Sequence, residues 1–392
     1  MGATALAVML GWAALIAVAP TSASAVPPVG GAGFKSALNW GDNRFLQLGD
    51  GTAVTDRPTP VQPVGLDSGV VQMAAGGGHT LAVRDTGEVL AWGLNSDGQL
   101  GTNLTETFFI PVQVPGLGGV TRVSAGTAHS LALRWDGSVW AWGDNDAGQL
   151  GDGTEIDRSV PVRVTGLTNV TEIAAGGRFS LARRSDGTVW AWGSNQFGQL
   201  GDGTVTQRTN PVQVVGLSNA LQIAAGTHHS LALRSDRVAF AWGRNAFGAL
   251  GDGTTIDHVV PRPMTVVSNV TQVAAGAGFT VVLSGGKPFW WGLDCHGGGL
   301  GTSAACTNQF QVREVPLTGV IQIAAGGSHR LAIRADGSLW AWGANNFGQV
   351  GDGTRAFQID PVRVAGVNGA VQVSAGAAHS AVVVLRPMVI QP

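Results

Sequence analysis

One pair of landmarks recurs seven times along this chain, and the interval between copies barely drifts. The first landmark is a step of two small residues and a glycine. Its glycines are Gly76, Gly126, Gly176, Gly226, Gly276, Gly326 and Gly376, fifty residues apart each time. The second is a Trp-Gly pair beginning at Trp40, Trp92, Trp142, Trp192, Trp242, Trp291 and Trp342. A fixed period of this length marks a repeat architecture, in which each unit buries its apolar surface against its neighbours. The two series are out of phase. Trp40 has no glycine step before it, and Gly376 has no Trp-Gly pair after it. The chain therefore holds six whole units and a half at each end. Pairing the strand around Phe34–Trp40 with the strand around Ser380–Leu385 completes a seventh unit and removes the open edges of a linear array.

Inside one unit the signals are those of strands. His129–Arg134 and Ser138–Trp142 are short apolar runs joined through Asp136-Gly137, which reads as a hairpin. A polar, glycine-rich loop follows from Asp144 to Thr154. Pro161–Val164 and Val170–Ala175 then supply two more strands. Four strands per unit and seven units predict an all-β, seven-bladed propeller of four-stranded blades, closed by its N- and C-terminal strands. The Trp doublets, such as Trp140 with Trp142, fall on one face of their strand. They read as packing between blades, each buried indole contributing roughly 150–250 Å².

Chemistry is harder to find. Five histidines follow the glycine steps, at His79, His129, His229, His329 and His379, while Phe179 and Phe279 hold the same place in two units. A metal ligand cannot be exchanged for phenyl, so these are read as packed core residues. The Asp-Gly-Thr loops at Asp50, Asp152, Asp202, Asp252 and Asp352 have the composition of turns and lack the alternating ligands of a calcium loop. No nucleophile elbow, phosphate-binding glycine loop or zinc-protease motif is present. No enzyme activity, cofactor or metal is expected. A net charge of −2, with 12% charged residues and no basic run, gives no footprint for nucleic acid.

Residues 1–25 read as an export signal: Ala3–Ala19 is apolar and Ala23-Ser24-Ala25 offers a cleavage site, although no Lys or Arg precedes the apolar stretch. Residues 26–33 form a short linker and 34–388 the propeller. The expected location is secreted, cell-surface or periplasmic, with no membrane attachment after cleavage and a monomeric state. The only cysteines, Cys295 and Cys306, lie in the loop after Trp291-Gly292, which lacks the Gly-Asp-Gly-Thr motif. A local disulfide is the adopted expectation. Free thiols, and metal ligation with His296, stay open.

Partner recognition is expected where a unit departs from its siblings. Phe108 and Phe109 precede Pro111 where other units carry Arg158-Ser159 or Arg208-Thr209, and Phe357 lies in the matching region of another unit. Trp135 replaces Ser or Ala at a hairpin turn, while Arg178 and His228 vary the step before the repeated histidine position. Exposed aromatics and arginine dominate protein contacts. These six residues are the candidate partner-binding set, for a protein partner of unknown identity.

The unit, written Ala-Ala-Gly-x-x-His-Ser-Leu-Ala-Leu-Arg, Asp-Gly, Val-Trp-Ala-Trp-Gly, Asn-x-Phe-Gly-Gln-Leu-Gly-Asp-Gly-Thr, resembles the regulator of chromosome condensation repeat family over residues 34–385. The resemblance implies a seven-bladed propeller with interlocked ends. That family's founding eukaryotic member exchanges guanine nucleotide on a small GTPase and docks on chromatin, but this chain lacks its basic tail. Similar secreted bacterial propellers include inhibitors of β-lactamases. The functional expectation is an exported, non-catalytic scaffold that binds protein through loops on one face. A secreted inhibitor is the alternative, followed by nucleotide exchange on a small GTPase.

Overall fold

The computed structural model describes residues 33–53, 55–295 and 306–387. These form seven four-stranded antiparallel sheets arranged as a ring of blades. Numbering blades from the first complete one, blades one to six span residues 70–113, 120–163, 170–213, 220–263, 270–314 and 320–363. In each, the first strand borders the first strands of its neighbours around the central channel, and the fourth lies on the outer rim. Blade seven is assembled from both ends of the chain, in the order Ala370–Ala375, His379–Pro387, Gly33–Gly41, Arg57–Val61 from the channel outward. Its closing pair runs in unbroken register from Gly33 opposite Pro387 to Gly41 opposite His379. The phase of the two landmarks predicts this closure, and the ring has it.

The blades are glued by the repeated tryptophans. Trp40, Trp92, Trp142, Trp192, Trp242, Trp291 and Trp342 are fully buried, each within a cluster that joins two consecutive blades. An indole buried in an apolar seam still needs a partner for its N–H. Trp142 Nε1 donates to the carbonyl of Gln99 in the preceding blade at 2.8 Å, and Trp192 does the same to Gln149 at 2.8 Å. The indole lies flat against the loop glycine of that blade. A Cβ on Gly151, whose φ is +67°, would come within 2.8 Å of Trp192 Nε1. This contact accounts for the fixed distance between Gly-Gln-Leu-Gly and the next Trp-Gly pair.

The turns between first and second strands share one face of the disk with the long loops between third and fourth strands. The Asp144 amide, at the start of a long loop, donates to Ala128 in such a turn at 2.9 Å. The Asp-Gly hairpins and the connectors between blades form the opposite face, where the Trp135 amide donates to Gly119 at 3.0 Å. These are called below the loop face and the hairpin face.

Candidate functional site

The five repeated histidines are sealed inside the seams. His79 Nε2 lies 3.0 Å from Ser130 Oγ of the next blade, and His129, His229, His329 and His379 make the same contact with Ser180, Thr280, Ser380 and Thr80. Ser130 Oγ spends its single proton on the Gln99 carbonyl at 2.7 Å. His79 must therefore donate through Nε2, which leaves Nδ1 an acceptor without a partner. Burial holds all five rings neutral. It lowers His129, His229 and His379 to about 4, and His79 and His329 to about 3, the last two with added repulsion from His379. These imidazoles hold blades together, as the phenyl replacements imply.

The Asp-Gly-Thr carboxylates are engaged within their own loops. Asp152 Oδ1 accepts from Thr154 N at 2.9 Å and Thr154 Oγ1 at 2.7 Å, and Oδ2 accepts from Arg158 Nε at 2.9 Å. In Asp252, burial opposes ionisation, but hydrogen bonds from His258, Thr254 and Asn245 prevail and lower its pKa to about 2. The loops are self-contained turns.

The channel wall repeats a side-chain hook. Gln72 of blade one donates from Nε2 to the Val123 carbonyl at 3.1 Å, and its Oε1 accepts from Val123 N at 2.9 Å. An amide side chain thus mimics one more peptide unit between blades. Gln222, Gln272 and Gln372 repeat the pattern. Arg122 and Glu172 take this position in blades two and three. Glu172 pairs with buried Arg183 at 2.9 Å. Burial raises the Glu172 pKa even with Arg183 beside it. One carboxylate between guanidinium groups is not the paired acid of a hydrolase.

The six candidate residues do not converge. Phe108 is partly buried against the core between blades one and two. Phe109, on the same outer strand, is 52% exposed, and Phe357 is half-buried on the rim of blade six. Trp135 stands on the hairpin face, leaning on Gly119 with 75% of its surface exposed. Only Arg178 and His228 share a face and adjoin in consecutive blades. Arg178 reaches back to blade two and pairs with Asp146 at 3.0 Å and Asp144 at 3.4 Å. Asp157 completes an acidic group there with Asp144 and Asp146, and burial followed by its two acidic neighbours raises its pKa. His228 meets the Phe197 ring edge-on, with centroids 5.2 Å apart. Arg244 stacks over Phe197 at 4.7 Å and Phe247 at 5.3 Å. Acid, cation and aromatic groups therefore sit together on the loop face of blades two to four.

One seam breaks the repeat at three positions. Arg330 occupies the Ser/Thr position of the histidine relay, yet it is fully buried. It lies over Phe279 at 4.1 Å and Trp290 at 4.0 Å and pairs with Asp294 at 3.4 Å. Phe279 stands where four other seams and the closing blade carry histidine, and Trp290 where five siblings have alanine and blade seven has Asn39. Three breaks in the pattern thus compensate one another. Burial lowers the Arg330 pKa to about 10, so the guanidinium stays charged at neutral pH. The backbones of Cys295 and Cys306 face each other in the extended hairpin of blade five. Their side chains, and the segment 296–305, lie outside the described residues, as do residues 1–25, which the sequence reads as an export signal.

A sequence model of the RCC1-like domain matches residues 36–382. The chain belongs to the RCC1-like domain family. Among solved structures, human WBSCR16 is similar with a TM-score of 0.79 and 27% identity, covering 91% of this chain and 100% of that one. Prp20p from Saccharomyces cerevisiae, described with its binding to Gsp1p and histones, superposes with a TM-score of 0.77 at 24% identity, covering 91% and 92%. That likeness is one of fold. The human E3 ubiquitin-protein ligase HERC2 is 39% identical over 80 residues, which are 20% of this chain and only 2% of HERC2. The RCC1-like assignment thus accounts for the ring and its seams.

Proposed function

We propose that this chain is an exported, non-catalytic RCC1-like propeller that docks a protein partner on the loop face of blades two to four. One observation carries the reading. Groups repeated in every blade are buried in packing, whereas Arg178, His228, Arg244 and Asp146 depart from the repeat within one sector, where they meet the motif residue Phe197 and the carboxylates of Asp144 and Asp157. Arginine stacked on aromatic rings is preorganised, so it surrenders little side-chain freedom on binding and suits a hot spot. The inhibitor alternative calls for Phe108, Phe109 or Trp135 exposed on one rim; Phe109 and Trp135 are exposed, but on an outer strand and on the hairpin face, so they form no joint patch.

Two measurements test the reading separately. Sequencing the N-terminus of the protein from culture medium is expected to give Val26; retention in the cytosol would remove export and reopen nucleotide exchange. Affinity capture from extracellular proteins is expected to lose its partner when Arg178 and Arg244 are both changed to Ala, and to keep it in Trp135→Ala. The opposite pattern would move the site to the hairpin face. In the exported protein a Cys295–Cys306 bridge should leave no thiol to titrate until a reductant is added. Two titratable thiols without reductant would exclude the bridge.

A further inference from the structure

The outer strand of every blade is a sheet edge, and six of the seven carry a proline at the same register position. Pro60, Pro111, Pro161, Pro211, Pro261 and Pro361 each precede the residue that pairs with the middle of the Trp strand. Proline has no N–H, so it blunts the edge against further strand pairing. Blade five has Val312 there. The ladder closes in six blades without any N–H at this position, so the Val312 N–H is surplus to it.

The same strand also lacks a hydrogen bond that its siblings accept, although the Phe310 ring leans on Gly248 of blade four. At five seams a loop amide of the preceding blade donates to the carbonyl two residues before the proline. Asn103 reaches Ser159 at 2.8 Å, Gly153 reaches Thr209 at 3.1 Å and Gly203 reaches Val259 at 3.0 Å. Gly353 reaches Pro58 at 2.9 Å and Gly51 reaches Phe109 at 3.3 Å. The counterpart from blade four to Phe310 is missing among the described residues, and Gly253 has no atom within 4 Å of where its Cβ would stand. The Phe310 side chain is 46% exposed. Among the described residues, blade five thus offers a spare donor at Val312 and an acceptor at Phe310 without a loop amide, two residues apart on one edge.

We propose that this edge pairs two copies of the chain, antiparallel, about a two-fold axis at Gln311. In that register Val312 faces Phe310 of the partner subunit, and the symmetric pair repeats it. Each Val312 N–H then meets the Phe310 carbonyl, with an aromatic beside a β-branched side chain, a favourable cross-strand pair. Gln311 faces its own copy, Gln309 faces Arg313 and Asn308 faces Glu314, so no like charges are opposed. Moving the axis to Val312 would set Phe310 against Glu314 and forfeit that match. The contact is isologous and closes at two copies.

Sedimentation velocity on the full chain over a concentration series tests this. The parent protein is expected to shift from monomer to dimer as concentration rises. Val312→Pro installs what six sibling blades already carry, so the fold should tolerate it, with unchanged tryptophan emission and unfolding midpoint. Losing two edge hydrogen bonds should raise the dissociation constant by about tenfold or more. Gln311→Cys places two thiols at the axis and is expected to give a covalent dimer under mild oxidation, while the parent chain, with Cys295 and Cys306 intact, does not. A parent protein that stays monomeric throughout, a Val312→Pro dimer as tight as the parent's, or no cross-link through residue 311 would each overturn the proposal.

Discussion

The Gln99 carbonyl accepts from Ser130 Oγ and from Trp142 Nε1, and the same Ser130 receives the N–H of His79. Three side chains from two blades thus depend on one another, which makes the relay a place where single substitutions do not add. Ser130→Ala strands the buried His79 N–H and is expected to cost about 1–3 kcal/mol in urea unfolding. His79→Phe copies what Phe179 already does beside Ser230, and should cost less. The double variant should then lose clearly less than the sum, because phenyl has no donor left to strand; simple additivity would mean that the relay carries no coupling. Arg330 gives the opposite case. Arg330→Ser restores the residue type of its siblings, yet it removes the charge facing Asp294 and the stack on Phe279 and Trp290, so about 3–5 kcal/mol of stability should be lost. The sequence displays Arg330 openly as the odd member of a Ser/Thr column. What it cannot display is that Trp290, forty residues earlier, turns toward the same seam.

At the scale of strands and loops the sequence is most readable, because every element is written seven times and one noisy copy does not hide the rule. The doublet spacing gives the strand face, and the landmark phase gives the closing pair. Less visible are contacts whose residue types are common everywhere, such as the Gln72 hook on Val123, since a glutamine on a strand announces nothing by itself. Which of the six candidate residues share a face was likewise hidden: connector geometry decides it, and Trp135 went to the hairpin face. Glycines separate local from tertiary demands. Gly166 and Gly151 have nearly equal φ, +70° and +67°, but a Cβ on Gly166 meets nothing within 4 Å, whereas on Gly151 it meets Trp192. Gly166→Ala should therefore cost only the left-handed backbone penalty of about 1–2 kcal/mol. Gly151→Ala should cost more in denaturant unfolding and should also shift tryptophan emission. Equal costs would show that the indole has room to move.

The closed ring makes the molecule one cooperative body, since no blade has a free side and the last is built from both chain ends. Whatever strains the seams is then felt by the whole. The five relay histidines supply such a strain through pH. Their pKa values in the fold lie at about 3 to 4, below the ordinary 6.5, so the native state keeps them neutral while the unfolded chain protonates them. Stability is therefore complete above about pH 6.5 and falls as pH drops toward the folded values, by about 1.4 kcal/mol per pH unit for each histidine. Five acting together approach about 7 kcal/mol per unit, a large share of any domain's stability. Loop carboxylates with lowered pKa, such as Asp152 and Asp252, add to the loss only at more acid pH. The urea midpoint should thus decline steeply between pH 6.5 and 5, before ordinary carboxylates titrate. Replacing His79 and His129 together by Phe should flatten that decline by about two-fifths, because two of the five proton acceptors are gone. An unchanged slope would mean that protons enter the seams without opening them, and that the ring is held by its tryptophans alone.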